Sequence, residues 1–227
     1  MTEAARLAAE GCPSGTAVVA EEQTAGQGRF GRTWHSERGA GLYVSIVLRL
    51  PLPAERAPVL TLALGLATAE AIARATDLGC DLRWPNDVLI GDRKCAGILV
   101  HTVPGAFVAG IGINVNQTAF PPDIAASATS LRLVSGREHS REQLLEHLLR
   151  SVDSFVKMLV EGGCEPVVRM FSRASSYAAG KRVVVEQHGA TLKGATAGLN
   201  PSGFLLLRRD DGATCVLTSG GVRPAGP

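Results

Sequence analysis

The spacing of apolar and polar positions changes several times along the chain, and each change marks an element. Residues 16–20 form a short apolar run that reads as a buried strand. Residues 42–49 are rich in β-branched and aliphatic side chains and read as a second strand, ended by Pro51 and Pro53. Residues 57–76 are an alanine- and leucine-rich stretch long enough for a largely buried helix, with Gly65 expected where it packs closely on a sheet. Two apolar runs, 88–90 and 94–100, flank Gly91-Asp92-Arg93 and predict a β-hairpin, followed by a buried strand at 107–115. Residues 2–11 predict a short helix with Thr2 as N-cap and Gly11 past its end.

The second half has a different rhythm. Residues 117–138 read as an irregular crossing, with Pro121, Pro122 and small polar residues. Ser140-Arg141-Glu142-Gln143 is a capping box that opens a helix to about Val160, and Leu145, Leu148, Val152, Phe155 and Leu159 form its core stripe. Gly162 and Gly163 stop that helix, and Pro166 sits in the first turn of another that ends near Ser176. His139 and His147 lack metal-ligand spacing and read as surface histidines. After Ala179-Gly180 come short strands at 182–186, 191–199, 204–208 and 214–218. They are separated by turns at His188-Gly189, Asn200 to Gly203 and Asp210 to Gly212, the rhythm of a small β-barrel or sandwich.

Composition bounds the reading without deciding it. A chain of 227 residues has room for one sizeable core and a small second domain, and 45% apolar with 19% charged residues is a globular profile. A formal net charge of +2 is too small to call for a nucleic-acid partner. No apolar run is expected to reach the length of a membrane span, and Met1-Thr2-Glu3 does not open a secretory signal. The five cysteines are scattered with no Cys-x-x-Cys pair, which favours reduced thiols in a cytoplasm over a disulfide framework or a zinc site.

Candidate chemistry lies in two stretches that must meet in space. The first, Gln23 to Trp34, alternates Gly26, Gly28 and Gly31 with Gln27, Arg29 and Arg32. Glycines let the backbone approach a ligand, and guanidinium groups pair with phosphate or carboxylate oxygens. No Gly-Lys-Ser or Gly-Lys-Thr closes this loop, and no helix follows it, so it is neither a Walker loop nor a dinucleotide fingerprint. Alone it reads by default as a flexible surface loop with two solvated arginines. The second stretch joins Trp84-Pro85-Asn86-Asp87 to Lys94-Cys95-Ala96-Gly97-Ile98-Leu99, where Lys94 opens a strand that can aim it into a cleft.

Together with Gly110-Ile-Gly-Ile-Asn-Val-Asn116, these runs resemble the biotin protein ligase family over nearly the whole chain. The resemblance implies an α+β fold: a class II synthetase-like mixed sheet with helices on one side in residues 1–178, and an SH3-like barrel in residues 179–227. The expected form is a short one without a DNA-binding helix-turn-helix, and the sequence departs from the family at its start, at or just after the point where relatives usually carry a strand and a Ser-Thr-Asn segment that touches the biotin ring. The implied reaction is activation of biotin by ATP to biotinyl-5′-AMP, then transfer to the lysine of a biotin carboxyl carrier domain. Mg²⁺ is implied, held largely through phosphates, with Asp87 as a candidate contact. No DNA or membrane partner is expected, and the protein would be a monomer or a homodimer.

Site residues follow from the same resemblance. Lys94 and Arg29 are the expected catalytic groups, stabilising charge where carboxylate and α-phosphate meet. Gln23, Gly26, Gln27, Gly28, Arg29, Lys94 and Gly97 would line the biotin end. Arg29, Arg32, Trp34, Asn86, Asp87, Lys94 and Asn114 would contact ATP or the adenylate, with Arg32 on the outer phosphates. Two departures stand out: Gln27 where many relatives carry arginine, and Arg83 where lysine is common. A lipoate ligase or octanoyl transferase shares the ancestral fold, but the Trp-Pro-Asn-Asp and Gly-Arg-x-Gly-Arg runs favour biotin. A nucleic-acid-binding module is disfavoured by the near-neutral charge and an aromatic content of 4%.

Overall fold

A computed structural model describes residues 1–187 and 189–225; His188 of the expected His188-Gly189 turn lies outside them. The first half runs α1 (Thr2–Ala9), β1 (Ala17–Ala20), β2 (Gly41–Leu48), α2 (Ala57–Thr76), β3 (Asp81–Arg83), β4 (Asp87–Ile90), β5 (Arg93–Val103) and β6 (Ala106–Asn114). The short helices α3 (Pro122–Ala125) and α4 (Leu131–Ser135) follow, then α5 (Arg141–Gly162) and α6 (Cys164–Ala174). The chain ends in β7 (Ala179–Gln187), β8 (Ala190–Leu199), β9 (Leu205–Arg209), β10 (Thr214–Leu217) and β11 (Gly221–Pro224).

Strands β1 to β6 form a six-stranded sheet in the order β1-β2-β6-β5-β4-β3. The expected α+β architecture is present, with two corrections of detail. Every strand pairing in this sheet is antiparallel, and the parallel contact is an isolated bridge between Lys94 and Ala128. The large helices α2, α5 and α6 cover one face, while α1 packs against Val47, Ala106 and Val108 on the other. Strand β1 is the half-exposed sheet edge, not a buried strand, and Val19 is 47% exposed.

Helix α2 is the hub of the core, and its apolar residues pack on Ile46, Leu82, Val88, Ile98 and Ile111 of the sheet. Residues 54–76 are in fact long and apolar enough to cross a membrane by length and composition, against the expectation, but most of that stretch is buried in this core. Gly65 makes no tight approach there: a Cβ added to it would meet Leu82 and Phe171 at 3.8 Å, ordinary contact. The Ser140 hydroxyl caps α5 by accepting from the Gln143 N–H at 3.1 Å. The buried stripe runs through Leu144, Leu148, Val152, Phe155 and Leu159, one position off the expected start. His139 is buried rather than on the surface, with its Nε2 2.7 Å from the Ser135 hydroxyl.

The C-terminal strands form a second, five-stranded antiparallel sheet in the order β10-β9-β8-β7-β11. Strand β11 had no counterpart in the apolar pattern, because Gly-Val-Arg-Pro carries one apolar side chain that packs inward, Val222. This sheet touches the first through the Asn200–Gly203 turn. Gly203, at φ +78°, nests on Val59 and Leu62 of α2, and its carbonyl accepts from Trp84 Nε1 at 2.9 Å. Ser175 and Ser176 tie the linker to Leu82 and Asp81.

Candidate active site

The site lies on the face of the six-stranded sheet opposite α2. There β5 and β6 offer glycines in place of side chains: Gly97 pairs with Gly112, and Leu99 with Gly110. What would be a row of Cβ atoms is instead a trough. Trp34 lies flat across one end, so that a Cβ on Gly112 would stand 2.7 Å from its indole. The Met1 thioether covers Gly110 at the other end, within 2.6 Å of such a position.

A β-bulge determines that Lys94 faces this trough. In the pairing of β4 with β5, Leu89 opposes Lys94 and Val88 opposes Ala96, which leaves Cys95 as an extra residue. Cys95, Ala96 and Ile98 are buried in the core, whereas Lys94 emerges on the same side as Gly97, with Nζ 3.0 Å from where a Gly97 Cβ would be. Strict alternation would have sent the lysine into the core with Ala96. Its ammonium bonds Asp87 Oδ1 at 2.5 Å and stands 5.3 Å from the centroid of the Trp34 ring.

Asp87 holds two cations. Arg83 reaches its second oxygen at 2.8 Å while Lys94 takes the first. Burial works to raise the Asp87 carboxyl, but Lys94 and Arg83 outweigh it and hold the group below its ordinary range. With both oxygens engaged, Asp87 is the counter-ion of Lys94 rather than a turn residue or a free metal ligand. Arg83, noted from sequence only as a departure, thereby gains a part in the site.

The glycine-rich loop arches over the trough. Its arms are joined by bonds from Trp34 N to Gly26 O and from Gly28 N to Arg32 O, with a bridge between Gln27 and Thr33. At the tip Phe30 adopts φ +59° and is 60% exposed. A Cβ on Gly26 would stand 2.5 Å from the Trp34 carbonyl, so that glycine serves the crossing of the arms rather than a ligand. Arg29 turns inward, with Nη1 3.4 Å from both Asn86 Oδ1 and the Gly220 carbonyl. Burial lowers its proton affinity, opposed by Asp87 and reinforced by Arg32, yet a guanidinium stays charged at neutral pH.

Gln23, Gln27, Gly28, Arg29, Trp34, Asn86, Lys94 and Gly97 thus line one cavity, together with Met1, Thr2, Ala25, Ile98, Leu99, Ile111 and the two β6 glycines. A second, more apolar cavity lies across Trp34 and Lys94, walled by Asn114, Phe120, Ile124 and Ala128. The segment expected as an irregular crossing supplies that wall through α3. Asn114 is buried and donates to the Thr129 carbonyl at 3.0 Å, and Asn86 donates to the Ile98 carbonyl at 3.0 Å. Arg32 is not brought to this centre: its guanidinium lies toward Gly221 of the C-terminal sheet. Among the described residues no cluster of three or more His, Cys, Asp or Glu side chains could hold a metal ion.

The arrangement places two fixed cations and a tight ammonium–carboxylate pair between a narrow trough and an apolar cavity, a geometry suited to joining an acid to a phosphate-bearing group. The Biotin/lipoate A/B protein ligase family model matches residues 3–117, and the chain belongs to that family. It is 34% identical over 213 residues to the bifunctional ligase/repressor BirA of Bacillus spizizenii, covering 91% of this chain and 65% of that one. It is 32% identical to the biotin--[acetyl-CoA-carboxylase] ligase of Mycobacterium tuberculosis, over 96% of this chain and 81% of that one. Its fold matches the biotin protein ligase of Aquifex aeolicus, solved in complex with biotin and ATP, with a TM-score of 0.87 and 31% identity. That match covers 98% of this chain and 94% of the Aquifex chain.

Proposed function

We propose that the chain is an ATP-dependent biotin-protein ligase. Biotin's carboxylate attacks the α-phosphorus of ATP, pyrophosphate leaves, and the lysine amine of a biotin carboxyl carrier domain then displaces AMP from the mixed anhydride, giving up a proton. The observation that carries this reading is the meeting of Lys94 and Arg29 in one cavity, with the second cavity opening beside Lys94.

On this reading the acid lies along the trough, its carboxylate toward Lys94 and Arg29, and the nucleotide occupies the second cavity with Asn114 in its wall and Trp34 at its boundary. The two cations offset the repulsion between carboxylate and phosphate and stabilise the charge that builds on the phosphoryl oxygens. Asp87 keeps the Lys94 ammonium aimed there, and Asn86 holds Arg29. Arg32 would reach the outer phosphates only after the loop swings from the C-terminal sheet. The residues present offer Mg²⁺ no site of their own beyond the committed Asp87, so no step is assigned to the ion. We further propose residues 1–178 as the catalytic domain, residues 179–227 as an SH3-like domain, and a cytoplasmic location in keeping with five free cysteines.

The test is incubation with labelled biotin, ATP and a carrier domain, with lipoic and octanoic acids as competitors. Label on the carrier lysine, undiminished by either acid, is the expected result. Transfer of octanoate in preference to biotin would reassign the substrate.

A further inference from the structure

One buried polar group in the first domain belongs neither to the core nor to the trough. Tyr43 on β2 is 1% exposed, and its ring crosses Gly41 so closely that a Cβ on that glycine would overlap the phenol. Its hydroxyl accepts from the Glu37 N–H at 3.1 Å and donates to the Glu37 carbonyl at 3.2 Å. It also accepts from Gln117 Nε2 at 3.2 Å. Burial pushes this phenol above its ordinary range, so it stays protonated and able to do both.

Both partners lead to the site. Glu37 follows Ser36, whose hydroxyl accepts the N–H of Gln23 at 2.8 Å, so the two roots of the glycine-rich loop are pinned at this point. Gln117 is fully buried, and its carbonyl accepts from Ser130, which fixes both ends of the segment that walls the second cavity. A single hydroxyl therefore joins the loop that carries Arg29 and Trp34 to the segment that carries Phe120, Ile124 and Ala128.

We propose that Tyr43 is a positioning residue for nucleotide use, holding the loop and the wall of the second cavity at a fixed separation. The proposal rests on the ligase reading and deepens it. A hydroxyl shared by two elements sets their spacing more narrowly than apolar contact, which tolerates sliding.

The test is Tyr43→Phe, which keeps the ring and removes the shared oxygen. The apparent KM for ATP in biotin-dependent ATP–pyrophosphate exchange should rise about tenfold, with the KM for biotin within about twofold of wild type. A purely structural loss would lower the active fraction and leave both KM values alone. Gln117→Ala should raise the KM for ATP in the same way, and the double variant should be less than additive. Hydrogen exchange on the ligand-free protein gives a readout independent of activity: the amides of Gln23 and Glu37 should exchange faster in Tyr43→Phe. Unchanged exchange would overturn the tie itself, and faster exchange with an unchanged KM for ATP would overturn its role with nucleotide. A wild-type chain that adenylates no acid would sink the ligase reading and this role with it, while the exchange data would still report on the tie.

Discussion

The Lys94 ammonium lies 2.5 Å from Asp87 Oδ1, and Arg83 lies 2.8 Å from the other oxygen of the same carboxylate. One anion thus holds two cations at the edge of the trough. Lys94→Ala should abolish biotin-dependent ATP–pyrophosphate exchange while the circular dichroism spectrum stays native. Retention of even one tenth of the wild-type rate would remove Lys94 from the chemistry.

The same carboxylate should register in stability against pH. Its folded pKa is depressed, so its contribution is fully present above the unfolded carboxyl value of about 4 and is lost as pH falls through the lower folded value. Urea midpoints compared at neutral and acid pH should therefore drop less in Asp87→Asn than in wild type. Parallel pH profiles for the two proteins would contradict the depressed pKa.

Arg29 reaches Asn86 and Gly220 at 3.4 Å, contacts long enough to be exchanged for an anion. Arg29→Gly should leave the fold intact but release biotinyl-AMP early. A rapid-dilution assay that finds the intermediate retained as in wild type would count against this role.

Gly112→Ala tests the floor of the trough. Its Cβ would stand 2.7 Å from the Trp34 indole, so the ring must lift. The expected result is red-shifted tryptophan emission, a destabilisation of about 1–3 kcal/mol and at least tenfold weaker adenylation. Unshifted emission would mean that Trp34 does not rest there.

Gly65→Ala should act in the opposite direction. With 3.8 Å to Leu82 and Phe171, the added methyl fits, and the helix gains the propensity difference between alanine and glycine, about 1 kcal/mol. A lower thermal midpoint would show the space to be tighter than the geometry indicates.

Elements with a strong period were legible in the sequence. The hairpin around Gly91, helix α2 and the capped helix at Ser140 all stand where spacing and capping chemistry put them. Other features depend on partners far along the chain. Strand β1 looked buried because its residues are apolar, but it lies at the sheet edge, a matter of strand order that local composition does not carry. The short helices α3 and α4 carry too few residues to display a period. In the candidate site, Lys94, Arg29 and Gln23 were legible as motif letters, and the structure gathers them in one cavity. The pairing of Asp87 with Arg83, the service of Gly26 to its own loop and the outward turn of Arg32 were not, since each is decided by which atom meets which in space.

The bulge at Cys95 makes the polarity of β5 a matter of counting. No residue type at Lys94 or Gly97 decides which side of the sheet the ammonium takes; the parity of the residues between them does. Ironing out the bulge with every residue kept would hand the cation to the oily layer beneath α2 and leave the cleft without it, whereas deleting Cys95 would keep it in the cleft by plain alternation.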